Sequence, residues 1–360
     1  MDMNKEIEEI IRNLGDIFGS RSIEGKNILV TGGAGFLGSW ICEVLVEQQA
    51  SIICLDNLVS GLKANISHLI DNRNFKFIQH DITQPIFFDD PIDVVMHLAS
   101  RASPFEFEKY PIQILKANTL GIWVALGIAK KYDARFLYTS TSEVYGKAEE
   151  IPTSEEYRGN VNPVGPRSCY DEAKRCGESY VIAYKMQHGL DTRIARIFNT
   201  YGPRMRAEGV YGRVIPRFIE QALSNKPITI FGDGTQTRSF CYVRDQIEGL
   251  LKHTFSFKKR KPVLKEKFKK EGGEVGGEGV NIGSDKEMTI LELAKLIREL
   301  TNSSSEIVFE ELPEDDPPRR KPDITKAKEL LGWEPKVELE EGLSKMIEWF
   351  KEKGERGKTK

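Results

Sequence analysis

The sequence predicts an α/β fold, a doubly wound parallel sheet followed by a smaller mixed α/β lobe. Three observations predict it. Strand-like apolar runs alternate with helical patterns from about Lys26 to Arg196, the rhythm of a parallel sheet covered on both faces. A glycine-punctuated turn, Gly32-x-x-Gly35-x-x-Gly38, separates the first run from the first helical pattern. Beyond about residue 200 the alternation loosens into shorter pieces of both kinds.

Residues 4–18 place apolar side chains at helical spacing, which predicts a short amphipathic helix packed on the body; 1–24 is therefore set apart as an N-terminal extension. Lys26–Val30 is the first strand and Phe36–Gln48 the helix after the glycine turn. Further strands are predicted at Ser51–Leu55, Phe75–Gln79, Val94–Leu98, Phe136–Thr139 and Thr192–Arg196, with helices at Ile112–Lys131 and Tyr170–Gln187. Together they assign 25–200 to a dinucleotide-binding domain of Rossmann type, to which later segments return. In 201–350, the substrate-binding lobe, Val214–Ser224, Thr289–Leu300, Lys326–Leu331 and Leu339–Lys351 read as helices and Ile228–Phe231 as a strand. Between them, 258–279 carries eight Lys and Arg from Lys258 to Lys270 and then a glycine-rich run, the composition of an exposed, mobile loop. It has no pattern of interleaved aromatics for base stacking, so nucleic acid is not expected as a partner. Residues 351–360 are expected to fray as a tail.

The formal net charge of −2 gives the chain no bias toward nucleic acid or membrane. Cys42, Cys54, Cys169, Cys176 and Cys241 are odd in number and show no C-x-x-C spacing, and the five histidines are scattered. They read as reduced thiols of a cytoplasmic protein without a metal site. No apolar run approaches the roughly 18 residues of a membrane span, and the first residues do not form a signal peptide.

The glycine turn carries the first chemistry. Gly32, Gly35 and Gly38 allow a tight turn and a close backbone approach to a pyrophosphate at the helix start, where Phe36 and Leu37 also lie. Asp56 ends the second strand, 18 residues after Gly38, where a carboxylate accepts hydrogen bonds from ribose hydroxyls. The same charge repels a 2′-phosphate, and the following Asn57-Leu58-Val59-Ser60-Gly61 holds no cation to rescue one, so NAD is expected rather than NADP. Asp81 and Ile82 after the third strand are placed beside adenine, and Leu98, Ala99 and Ser100 after the fourth beside pyrophosphate or ribose. Tyr170 and Lys174 stand four residues apart on one helical face. An ammonium beside a phenol favours the phenolate, which predicts a Tyr170 base of lowered pKa able to deprotonate a sugar hydroxyl next to a hydride acceptor.

These residues resemble the extended short-chain dehydrogenase/reductase family and, within it, the UDP-glucuronate decarboxylases, from about Lys26 to Phe350. The glycine turn and the Tyr170/Lys174 pair are shared widely in that superfamily. Thr139–Gly146 (TSTSEVYG), Asn160–Glu172 (NVNPVGPRSCYDE), Arg196–Met205, Gln236-Thr237-Arg238 and Asp315–Asp323 carry the resemblance further, and the triplet Thr141-Ser142-Glu143, the Asn160–Glu172 tract and Arg319–Asp323 (RRKPD) are narrower. The resemblance implies oxidation of the sugar at C4, loss of carbon dioxide from C5 and reduction back to the alcohol, with no net redox change. A related 4,6-dehydratase carries Asp where Ser142 stands, and a 4-epimerase usually lacks a carboxylate at Glu143; these two activities are the alternatives, with a catalytically quiet NAD-binding scaffold behind them.

Implied roles follow. Tyr170 is the base, Lys174 its partner and a ribose ligand, Thr141 or Ser142 hydrogen-bonds the reacting oxygen, and Glu143 steers ring and carboxylate. Asn199, Arg204 and Arg238 would hold the UDP and Arg320 the diphosphate or sugar, cations forked onto phosphate. A homodimer through a four-helix bundle, formed by the helices of Ile112–Lys131 and Tyr170–Gln187, is also implied. The sequence departs from the pattern at Arg101, where a proline is usual, and at Phe107, where a substrate-contacting tyrosine is usual; Arg101 is expected to approach a substrate carboxylate or phosphate instead.

Overall fold

The computed structural model describes residues 1–15, 23–207, 213–255, 279–313 and 316–358. Seven strands, numbered along the chain, form one sheet: β1 (Asn27–Thr31), β2 (Ser51–Asp56), β3 (Phe75–Gln79), β4 (Val94–His97), β5 (Arg135–Thr141), β6 (Thr192–Ile197) and β11 (Gly279–Ile282). Their order is β11-β6-β5-β4-β1-β2-β3, and every neighbouring pair is parallel. The chain runs outward from β1 through β2 to β3, then returns to β4 on the other side. That reversal opens a crevice beyond the carboxyl ends of β1 and β4, the usual ligand position in such sheets.

Period-two alternation decides which helices cover which face. Ile28 and Val30 of β1 pack with Trp40, Ile41 and Leu45 of α2 (Phe36–Glu47) and with Leu250 and Leu251 of α6 (Val243–Phe255). Leu29 faces the other way, joining Val95 and Phe136 against Ile122 and Leu126 of α3 (Pro111–Tyr132) and Val181 of α4 (Ser168–His188).

Helix α3 departs from the sequence reading, because it is long and apolar enough to cross a membrane by length and composition. Its buried Ile114, Ile122, Ala125, Leu126 and Ala129 account for that composition as the inner face of a core helix. Gln113, Lys116, Asn118 and Thr119 break up the linear run.

The amphipathic N-terminal pattern forms α1 (Met3–Asn13), which buries Ile7 and Ile10 against the body. Glu6 is buried with them and accepts from Lys345 at 2.6 Å, tying α1 to α9 (Leu339–Lys358). Helix α9 runs seven residues beyond Lys351, where the sequence suggested a frayed tail.

The C-terminal pieces make small sheets beside the crevice: β7 (Thr200–Tyr201) with β10 (Cys241–Tyr242), β8 (Ile228–Phe231) with β13 (Ile307–Glu310), and β9 (Thr237–Ser239) between β12 (Glu287–Thr289) and β14 (Arg319–Arg320). Helices α5 (Val214–Leu223), α7 (Ile290–Leu300) and α8 (Thr325–Leu331) accompany them. Thr289 and Glu292 close a reciprocal capping box at the start of α7. The basic, glycine-rich stretch lies outside the described residues except for Gly279, which begins β11.

Candidate active site

The carboxyl ends of the central strands open onto a cleft of about 520 Å³. Its dinucleotide side begins at the glycine turn. Gly32 has φ +71°, and a Cβ there would stand 2.7 Å from the backbone nitrogen of Ala99; at Gly38 a Cβ would meet the Gly32 carbonyl at 2.2 Å. Only glycine permits that closeness. No side chain caps α2, and Gly35, Phe36, Leu37 and Gly38 line the cleft, leaving a helix start suited to a pyrophosphate.

Asp56, Asn57, Asp81, Ile82, Leu98, Ala99 and Ser100 line it as well. Asp56 accepts from the Ala34 N–H at 3.0 Å and the Leu58 N–H at 2.8 Å, so backbone bonds fix the carboxylate while each oxygen keeps a second lone pair. Burial raises its pKa, opposed by those two bonds. This cradle, with its anionic end, fits NAD.

Thr141, Ser142, Glu143, Tyr170 and Lys174 meet at the opposite wall. Strand β5 delivers the first three: it ends at Thr141, whose hydroxyl accepts from the Glu143 N–H at 3.3 Å as the chain turns into the short helix Ser142–Tyr145. Helix α4 delivers the other two, and Tyr170 shares a hydrogen bond with Thr141.

The expected electrostatics of the pair are corrected here. Burial pushes the Tyr170 phenol up to about 12, although Arg213, which also lines the cleft, pulls it down. Lys174 donates to the Thr139 carbonyl at 2.8 Å, and burial lowers its own pKa to about 7 against the pull of Glu178. Both groups are desolvated, so each favours its neutral form, and the simple ammonium-beside-phenol picture fails in the protein alone.

Glu143 is the other strongly perturbed group. Burial alone would raise its pKa, but Arg320 and Arg167 hold it far below the usual carboxylate range. Arg320 reaches one oxygen from β14, and Arg167 donates to the other at 2.6 Å from the start of α4. The sequence reading did not single out Arg167; its position four residues before Asp171, a helical ion-pair spacing, was the available signal.

The remaining arginines are placed differently from expectation. Arg204 lines the cleft, but its guanidinium is paired with the buried Glu43 and lies over Trp40 at 5.1 Å. Arg238 turns to Asp316 at 2.7 Å, and neither Arg238 nor Arg320 lines the cleft directly. Arg101 lines it, yet pairs with the fully buried Glu106 rather than standing free for a substrate anion. For Arg204 and Arg101 a buried carboxylate claims the cation, because leaving that carboxylate unpaired costs more than the cation gains in solvent, while the partner of Arg238 is half-buried. Asn199 lines the cleft.

Asp171 sits behind this wall, 5% exposed, with Oδ1 unpartnered and Oδ2 3.8 Å from Arg167 Nε. Burial, reinforced by Glu143, raises its pKa from 3.8 to about 7. The folded protein therefore keeps a proton that the unfolded chain releases, and this stabilising contribution is complete below about pH 4 and lost as pH rises through about 7. Asp171→Asn, which keeps the shape without the charge, is expected to gain on the parent across that window by on the order of 2 kcal/mol. Urea unfolding of both proteins at either end of the window measures it; equal stabilities at the upper end would contradict the assignment.

Residues 28–260 match the NAD dependent epimerase/dehydratase family. UDP-glucuronic acid decarboxylase 5 of Arabidopsis thaliana is 47% identical over 90% of this chain and 89% of its own length. An epimerase of Methanothermobacter thermautotrophicus is 32% identical with a TM-score of 0.83, covering 97% of this chain and 98% of its own. UDP-glucuronic acid 4-epimerase of Bacillus cereus, solved with UDP-glucuronic acid and NAD, is 30% identical with a TM-score of 0.76, covering 91% and 99%. With the cradle, the Tyr170/Lys174 wall and the sheet order already in place, the match over most of the sheet leads to one statement: this chain belongs to the NAD dependent epimerase/dehydratase family.

Proposed function

We propose that the protein is an NAD-dependent UDP-glucuronate decarboxylase that forms UDP-xylose. The observation that carries this reading is Glu143, held ionised by Arg167 and Arg320 at the end of β5 in the cleft that Tyr170 lines. The plant relative's name supports the same activity. NAD, when bound, supplies a hydride acceptor for C4 and later returns the hydride.

The chain's own residues manage protons, charge and orientation. Tyr170 exchanges the proton of the C4 hydroxyl, with Thr141 as its hydrogen-bond partner. Its resting phenol is protonated, so cations in the cleft must favour ionisation during turnover; Arg213 does so already, and Lys174 does so when charged. Once C4 is a ketone, the C5 carboxylate is that of a β-keto acid: its bond to C5 breaks with release of carbon dioxide, the electron pair passes into the C4 enolate, and C5 then takes up a proton. Glu143, fixed from both sides, orients the ring, and its negative charge beside the substrate carboxylate favours departure of a neutral product.

Incubation with UDP-glucuronate and NAD, followed by mass analysis, tests the reading. The expected product is lighter than substrate by carbon dioxide. A product of unchanged mass would instead indicate 4-epimerisation, the second reading, which the Bacillus cereus neighbour favours.

The assembly belongs to the same proposal. Ile112, Leu115, Leu120 and Trp123 share one exposed face of α3, and Met186 is exposed on the adjacent α4. An apolar face on paired helices suits a homodimer in which two copies form a four-helix bundle. Sedimentation should give a dimer, and Trp123→Glu should shift it to monomer; a monomeric parent protein would refute this part.

A further inference from the structure

The segment that holds Arg101 and Phe107, the two departures from the resemblance, is internally tied. Residues 101–110 join β4 to α3, and Arg101–Pro104, Glu106 and Phe107 line the cleft. Glu106 is fully buried, and among the described residues Arg101 alone pairs with it. The Arg101 guanidinium also lies 4.3 Å over the Tyr110 ring, while the Tyr110 N–H donates to the Glu106 carbonyl at 2.8 Å. From across the cleft, Arg213 donates to the Ala102 carbonyl at 2.7 Å.

What this wall presents to the chemistry is Phe107. Its ring lies 5.2 Å from that of Tyr170 at an interplanar angle of 19°, and both belong to a small apolar cluster with Ile114 and Cys169. The Arg167 guanidinium stands 5.6 Å from the same ring. One 4% exposed side chain therefore touches both the phenol and a clamp on Glu143.

We propose that the Arg101–Glu106 pair, seated on Tyr110, is a lock that holds Phe107 flat against Tyr170, making Phe107 the positioning residue that orients the phenol and keeps water from its face. The reason is a balance of burial and charge. Releasing Arg101 toward a substrate phosphate would strand a buried carboxylate, so the pair stays closed and the wall stays rigid. A rigid aromatic wall dries one face of Tyr170, which favours the protonated phenol. The other groups around that phenol are Asp171 and Lys174 on its own helix, Thr141 and Glu143 from β5 and its turn, Tyr138 within β5, and Arg213 before α5. All of these side chains are retained in variants at 101, 106 and 107, although Arg213 is tied to the wall through Ala102 and Glu143 through Arg167.

This inference rests on the proposed role of Tyr170, but its test needs no sugar nucleotide. Full-length protein is labelled with 3-fluorotyrosine, whose phenol ionises at lower pH than tyrosine, and the Tyr170 fluorine signal is assigned by its loss in Tyr170→Phe. The signal is then followed against pH. Phe107→Ala is expected to lower the ionisation midpoint of Tyr170 by about one pH unit, because water reaches the exposed face. Phe107→Tyr, which keeps the ring, is expected to leave it in place. The charge-neutral double variant Arg101→Gln/Glu106→Gln should move it in the direction of Phe107→Ala by a smaller amount, and it keeps the test intact if Phe107→Ala does not fold. An unmoved midpoint in a folded Phe107→Ala overturns the positioning role, and an unmoved midpoint in the double variant overturns the lock. Failure of the parent protein to release carbon dioxide would refute the decarboxylase reading while leaving these midpoints to stand or fall alone.

Discussion

Tyr170→Phe is expected to reduce carbon dioxide release about 10²- to 10⁴-fold, the span that a positioned proton-transfer group contributes. The substitution removes one oxygen and little else. The ring is 6% exposed and stacked on Phe107, and phenylalanine keeps that packing. What disappears is the oxygen that shares a hydrogen bond with Thr141 and that the proposed mechanism uses to exchange the C4 hydroxyl proton. Lys174 Nζ is engaged elsewhere, donating to the Thr139 carbonyl at 2.8 Å. NAD affinity, measured by calorimetry, should stay within about twofold, because the glycine turn and Asp56 are untouched. Activity within tenfold of the parent would remove Tyr170 from the mechanism.

Glu143→Gln is expected to affect both activity and stability. Gln keeps the size but not the charge, so Arg167 and Arg320 are left largely buried without their shared anion. Breaking a buried pair from one side typically costs about 3 kcal/mol, which thermal unfolding would read directly. Decarboxylation should fall on the order of 100-fold, since the fixed negative charge that the proposed mechanism sets beside the departing carboxylate is lost. The double variant Glu143→Gln/Arg320→Gln separates the two effects: it removes one of the two cations left without their anion and should recover part of the stability but none of the activity. Recovery of activity in the double variant would mean that Glu143 serves only the architecture.

Local physics made most of the fold legible. β3 and β8 begin and end where the apolar runs do, and the helix after the glycine turn spans Phe36–Glu47. The dinucleotide cradle was equally readable, because its residues sit at strand ends whose spacing is local. The charged residues were less readable, and the reason is distance along the chain. Arg204 meets Glu43 across 161 residues and Arg320 meets Glu143 across 177. No local pattern announces that such a carboxylate will claim an arginine before a phosphate does. Arg167 was missed for a related reason: its partner Glu143 lies on a different element 24 residues away. The Tyr170/Lys174 pair was located correctly and its electrostatics were not, since spacing reveals proximity but not desolvation.

The return of β11 to the outer edge beside β6 bears on synthesis of the chain. β6 is complete at Ile197, but the strand that covers it begins only at Gly279. A nascent polypeptide leaving the ribosome therefore carries an open edge, with unpaired amides and carbonyls, until more than eighty further residues have emerged. Such an edge is a template for pairing with another chain. Expression of residues 25–200 alone would make that transient condition permanent, so the dinucleotide half should not be separable from the residues that finish its sheet.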